Sequence, residues 1–161
     1  MTARPTSPML PAFDPKSVAA QSPTNYPLAF QALVNGRHRR ALGDAAGLSN
    51  FGVNLTRLEP GAASAQRHWH TLQDEFVYII EGEATLVTKA GDQTLTAGMA
   101  AGFPAGRADG HHLVNRGAGD VLYLEVGDRT PGDEVDYPDI DLKRRYRDGE
   151  SRFVHDDGTP Y

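Results

Sequence analysis

Four short runs rich in apolar residues stand out along the chain: Phe51 to Leu58, Glu75 to Ile80, Ala84 to Thr88 and Val121 to Val126. Each has strand length, about four to eight residues. Between them lie Glu59-Pro60-Gly61, Glu81-Gly82-Glu83, Ala90-Gly91-Asp92 and Gly117-Ala118-Gly119-Asp120. These stretches combine glycine with proline or polar residues, as tight turns require. The alternation of short strands and turns predicts an all-β chain, a single small antiparallel β-barrel.

The pattern is weaker at both ends. Residues 1–26 carry Pro5, Pro8, Pro11, Pro15 and Pro23; their fixed φ and missing N–H groups oppose regular structure, so this segment reads as a proline-rich arm. Residues 27–127 hold the predicted barrel. Residues 128–161 pass through Thr130-Pro131-Gly132-Asp133 and a mixed-charge stretch at Lys143-Arg144-Arg145. This tail is too poor in apolar residues for a second core, and it is expected to pack on its own barrel or on a partner subunit. Exposed strand edges and the prevalence of twofold symmetry make a homodimer the expected assembly.

Composition narrows the chemistry. The 161 residues suffice for one core, and 16 Lys and Arg against 21 Asp and Glu give a net charge of -5. That balance offers no basic field for a nucleic-acid backbone. No apolar run approaches membrane-spanning length, so the expectation is a cytoplasmic protein without nucleic-acid or membrane partners, acting on a small-molecule ligand or substrate. With no cysteine, any metal must be held by nitrogen and oxygen donors.

Such donors are clustered in Arg67-His68-Trp69-His70-Thr71-Leu72-Gln73-Asp74-Glu75. Side chains alternate along an extended strand, so His68 and His70 share one face. Glu75 then opens the next predicted strand and brings a carboxylate to the pair. A second cluster, Gly98 to Gly106, precedes His111-His112 at the start of another strand, where one of the two adjacent histidines must face inward. Three imidazoles and one carboxylate suit one divalent Mn, Fe, Ni, Co or Zn ion per chain, with positions left open for a ligand.

The two clusters resemble the signature motifs of the cupin superfamily, in the manner of uncharacterised single-domain members. The first motif reads Gly61, His68, His70, Glu75 and Gly82; the second reads Gly98, Pro104, Gly106, His111 and Asn115. The Gly61–His68 interval is one residue longer than the usual pattern, and the loop from Gly106 to His111 is extended. The resemblance spans about Asn50 to Gly127. It implies a jelly-roll barrel, or double-stranded β-helix, and metal ligation by His68, His70, Glu75 and His111, with His112 as the reserve ligand. It also implies either a metal-dependent enzyme of isomerase, epimerase, decarboxylase or dioxygenase type acting on a small oxygenated organic molecule, or a non-catalytic binding or sensor module.

Other residues receive plainer roles. His38, in Arg37-His38-Arg39-Arg40, reads as part of a solvated basic strand, and His155 as a solvated tail residue. Asp74, Glu81 and Glu83 read as turn residues, and Arg67 as an exposed side chain. Alternation sends Val77 and Ile79 inward with Glu75, leaving Trp69, Phe76 and Tyr78 on the outer face. Phe103 is assigned either to a pocket wall or to the core.

Overall fold

A computed structural model describes residues 11–161. Pro5 and Pro8 of the expected arm therefore lie outside the described residues. The strands are β1 (Arg37–Ala41), β2 (Phe51–Leu58), β3 (Trp69–His70), β4 (Glu75–Glu81), β5 (Glu83–Thr88), β6 (Gly91–Thr96), β7 (Ala100–Phe103), β8 (His112–Val114), β9 (Val121–Asp128), β10 (Val135–Tyr137), β11 (Leu142–Arg147) and β12 (Glu150–Val154). All recorded strand pairs are antiparallel. Among the described residues, no helix is long and apolar enough to cross a membrane.

The strands form a five-stranded sheet ordered β1-β2-β9-β4-β7, a three-stranded sheet β6-β5-β8 and a four-stranded sheet β12-β11-β10-β3. Period-two alternation explains how the first two pack together. Leu58, Val77, Ile79, Val121 and Tyr123 of the larger sheet meet Ala84, Leu86, Leu95 and Leu113 of the smaller one in one buried core. Phe76, Tyr78 and Ile80 point outward and remain exposed. The β4–β5 turn needs glycine at position 82: its φ is +81°, and a Cβ there would stand 2.5 Å from the Asp120 carbonyl oxygen.

Among the described residues the ladders do not join into one ring, so the hydrogen bonding describes layered antiparallel sheets and leaves the barrel closure without direct support. The β3 strand has only two residues and β8 only three, and isolated bridges at His68–His111 and Ala63–Val114 connect the layers. The tail contains more structure than its sequence pattern suggests. Its strands β10 to β12 extend from β3, and Val135, Tyr137 and Leu142 bury against Tyr26 and Val34 from the other end of the chain. That second core lies beside the histidine-bearing β3, which places residues of the tail next to the candidate ligands.

Candidate metal centre

Local backbone pairing positions each donor. His68 and His111 form an antiparallel bridge, with His68 N donating to His111 O at 3.2 Å and His111 N to His68 O at 2.9 Å. His70 ends β3 opposite Val135 of β10. Glu75 opens β4 between Phe103 of β7 and Gly127 of β9. Three separate connections thus aim at one point, and regular strands fix two of them.

The side chains converge on Glu75 Oε2. The Nε2 atoms of His68, His70 and His111 lie 3.3, 3.4 and 2.9 Å from it. The ligand atoms of His68, His70 and Glu75 all lie within 4.8 Å of one another. With metal–donor bonds of about 2.1 Å, neighbouring donors in an octahedral or tetrahedral set are separated by about 3.0–3.4 Å. The His68 and His70 separations fall in that range and that of His111 just below it; His68, His70 and Glu75 form a group that could hold a divalent ion, and His111 closes on the same carboxylate oxygen.

The far side of two rings settles their tautomers. His68 Nδ1 lies 2.8 Å from the Gln66 carbonyl oxygen, which can only accept; Nδ1 therefore carries the proton and Nε2 presents its lone pair when the ring is neutral. His70 Nδ1 donates in the same way to Asp133 Oδ2 at 2.6 Å. The His111 ring is held by stacking on Phe103, with centroids 3.5 Å apart and planes within 1°. Phe103 also packs against the apolar core, so it fills both of its expected roles.

Electrostatics favours an ionised carboxylate at the centre. Burial works to raise the Glu75 pKa, but the hydrogen bonds from His111, His68 and His70 outweigh it and hold the group well below the usual carboxylate range. For His70, burial works to lower the pKa; the hydrogen bonds to Asp133 and Glu75 win and raise it to about 9. Burial lowers the His111 pKa, only partly opposed by Glu75, and the charge of His68 lowers it further.

Asp133 gave no sequence signal beyond a turn. It is buried, accepts from Leu72 N at 2.9 Å through Oδ1, and faces Arg144 at 3.4 Å through Oδ2. Burial raises its pKa, and the His70 hydrogen bond with the other contacts reverses this and lowers it. It orients a candidate ligand and fixes its tautomer. Asp133→Asn is expected to weaken metal binding by about 10- to 100-fold, as read by competition with a chromogenic chelator.

The remaining assignments divide. His112 turns away, its Nδ1 bonded to Ala65 O at 2.8 Å, and His155 pairs with Asp141 in the tail. Asp74 accepts from Ala105 N as a turn residue. Arg67 is not a free surface side chain: it forms a two-point ion pair with Asp139 and donates to Gly110 O. Trp69 is half-buried and lines a smaller cavity of about 390 Å³ that His70, Glu75 and His111 also border. The basic strand β1 is not simply solvated either. His38 bonds Ser22 and Glu59, while Arg37 and Arg39 turn into the interior.

The four candidate ligands border a cavity of about 680 Å³, whose wall also includes Tyr26, Arg37, Arg39, Tyr123, Glu125 and Tyr137. A volume of this size admits a small organic molecule. Comparison with known proteins agrees with the motif reading. Residues 54–127 match the model of the cupin domain family. A sugar phosphate isomerase of the cupin superfamily from Silicibacter pomeroyi is 42% identical, over 94% of this chain and 96% of that one, with a TM-score of 0.89. A candidate sugar phosphate isomerase from Acidithiobacillus ferrooxidans is 34% identical, over 74% and 76% of the two chains, with a TM-score of 0.69. A polyketide cyclase from Streptomyces resistomycificus, 20% identical over 82% and 87% of the chains, shares the fold at a TM-score of 0.66. No curated protein matches the sequence.

Proposed function

This chain belongs to the cupin superfamily, and from that premise we propose that it is a metal-dependent enzyme acting on a small oxygenated organic molecule, with isomerisation the first reaction to test. The observation that carries this reading is the convergence of three imidazole nitrogens on Glu75 at the wall of a cavity large enough for a substrate. His68, His70, His111 and Glu75 would hold one divalent ion. When bound, that ion supplies a Lewis acid for a carbonyl or hydroxyl oxygen.

The chain's own residues perform the supporting tasks. Asp133 and the Gln66 carbonyl keep the Nε2 lone pairs of His70 and His68 turned to the centre. The Phe103 ring fixes His111 and keeps water from one side of it. The names of the two relatives more than 30% identical to this chain favour isomerase chemistry over decarboxylation or dioxygenation. A closed double-stranded β-helix is the proposed completion of the layered sheets, and the cytoplasm the proposed location. A homodimer is proposed to form through the exposed Phe76, Tyr78 and Ile80 on β4 with Met99 beside them.

The test combines elemental analysis of protein purified without added metal with a screen of phosphorylated and unphosphorylated aldoses and ketoses, using the ion found. About one equivalent per chain and interconversion of one such pair support the proposal. Metal with no turnover of any oxygenated substrate would instead favour a binding module, and absence of metal would remove the basis of the reading.

A further inference from the structure

The polar wall of the cavity beside the ligand cluster has a pattern of its own. In the five-stranded sheet, Glu75 pairs with Gly127, and the next pair on that face is Val77 with Glu125. Glu125 is therefore the diagonal neighbour of Glu75, about 7–8 Å away. It accepts from Asn54 Nδ2 at 3.0 Å and from the Tyr123 hydroxyl at 3.2 Å. Arg39 Nε lies 2.7 Å from its Oε1 as an ion pair, without the geometry of a hydrogen bond. Arg39 rises from β1, three strands from β4, yet Glu125 draws its guanidinium over the strand next to the candidate ligands.

Three guanidinium groups line this cavity, and two are committed. Arg37 donates through Nη1 to Ser64 O and through Nη2 to Pro23 O. Arg144 donates to Asp133. The terminal Nη1 and Nη2 groups of Arg39 make no hydrogen bond to any described residue and are not fully buried, and Arg39 lines the cavity. Charge points the same way. Arg37, Arg39 and Arg144 are matched by Glu75, Glu125 and Asp133, so a divalent ion bound by neutral imidazoles would leave the cavity with two surplus positive charges. Between the two ends the floor is bare: Gly127 faces Glu75, and a Cβ built on it would meet nothing within 4 Å.

We propose that Arg39, held in place by Glu125, anchors an anionic oxygen group of the substrate, a phosphate or a carboxylate, while the body of the molecule lies across Gly127 toward the His68, His70, Glu75 and His111 cluster. The planar guanidinium edge matches either oxyanion with two parallel hydrogen bonds. The direction of the molecule rests on the metal-centre reading above. The anion anchor does not.

Isothermal titration of inorganic phosphate and of malonate into the full-length protein, metal-loaded and metal-stripped, tests this. Wild type is expected to bind at least one probe, and the preferred probe identifies phosphate or carboxylate as the group. Replacing the pair together (Arg39→Gln with Glu125→Gln) avoids stranding a buried charge. It is expected to weaken binding at least about tenfold in both metal states, with metal content and unfolding temperature little changed. Gly127→Leu keeps every charge and is expected to weaken binding of the larger probe, malonate, to the loaded protein. Failure of wild type to bind either probe, or unchanged affinity in the paired variant or in Gly127→Leu, overturns the proposal. Arg39-dependent binding to a chain that never acquires metal would preserve the anchor and defeat the metal-centre reading alone.

Discussion

Removing any one of the three imidazoles, by His68→Ala, His70→Ala or His111→Ala, is expected to take the bound ion from about one per chain to background after dialysis. The size of the effect follows from sharing. If a four-donor site binds a divalent ion with about 10–16 kcal/mol, each donor carries roughly 3 kcal/mol, and its loss weakens affinity on the order of 100- to 1000-fold. Glu75→Gln should be at least as damaging, because its carboxylate is the point shared by all three Nε2 atoms. His112→Ala is the matched control. Its Nδ1 is bonded to a backbone carbonyl away from the centre, so the ion should stay. Mass spectrometry of metal content in the five proteins decides the matter, and loss of the ion in His112→Ala with retention in His111→Ala would reverse the assignment.

Acid should release the ion, and the sign can be worked out from His70. In the metal-free protein its pKa stands at about 9, because Asp133 and Glu75 outweigh the effect of burial. At neutral pH an incoming cation must therefore displace the proton on Nε2. Each pH unit below about 9 costs about tenfold in apparent affinity from this one group. Between pH 7 and pH 5 the affinity should fall at least about 100-fold, and further as other imidazoles take up protons. The contribution of His70 to the folding stability of the metal-free chain follows the opposite course. A raised histidine pKa contributes stability that is complete below the ordinary value near 6.5 and lost as pH rises through about 9. The depressed carboxylates Glu75 and Asp133 contribute stability above their ordinary range, lost as pH falls through their lowered values. Metal titrations at several pH values, with thermal unfolding of the stripped protein, read the two trends separately. Affinity independent of pH between 7 and 5 would contradict the ligand set.

The sequence pattern was most informative where structure is local. Alternation placed His68 and His70 on one face and sent Val77 and Ile79 inward beside Glu75, as β4 shows. The turn residues Glu81-Gly82-Glu83 separated β4 from β5 where expected. Long-range partners were invisible for a physical reason. Asp133 reaches His70 across 63 positions, and nothing in Pro131-Gly132-Asp133 distinguishes a buried acceptor from a turn carboxylate. The tail strands escaped notice because Val135, Tyr137, Leu142 and Phe153 are widely spaced and complete their apolar cluster with Tyr26, Val34 and Phe30 from the other end of the chain. Arg37 and Arg39 were hidden in a run that also holds His38 and Arg40. The same alternation that exposed the ligand pair, applied to this run, separates two inward guanidiniums from two outward groups, but charge made the strand look wholly solvated.

One measurement bears most directly on the central claim: anomalous diffraction from a crystal of the protein as purified, with data collected on both sides of the absorption edge of the metal found by elemental analysis. The account predicts a single peak bonded to Nε2 of His68, His70 and His111 and to an oxygen of Glu75. A peak held by other side chains, or four donors turned apart with no peak among them in a metal-loaded crystal, would contradict it.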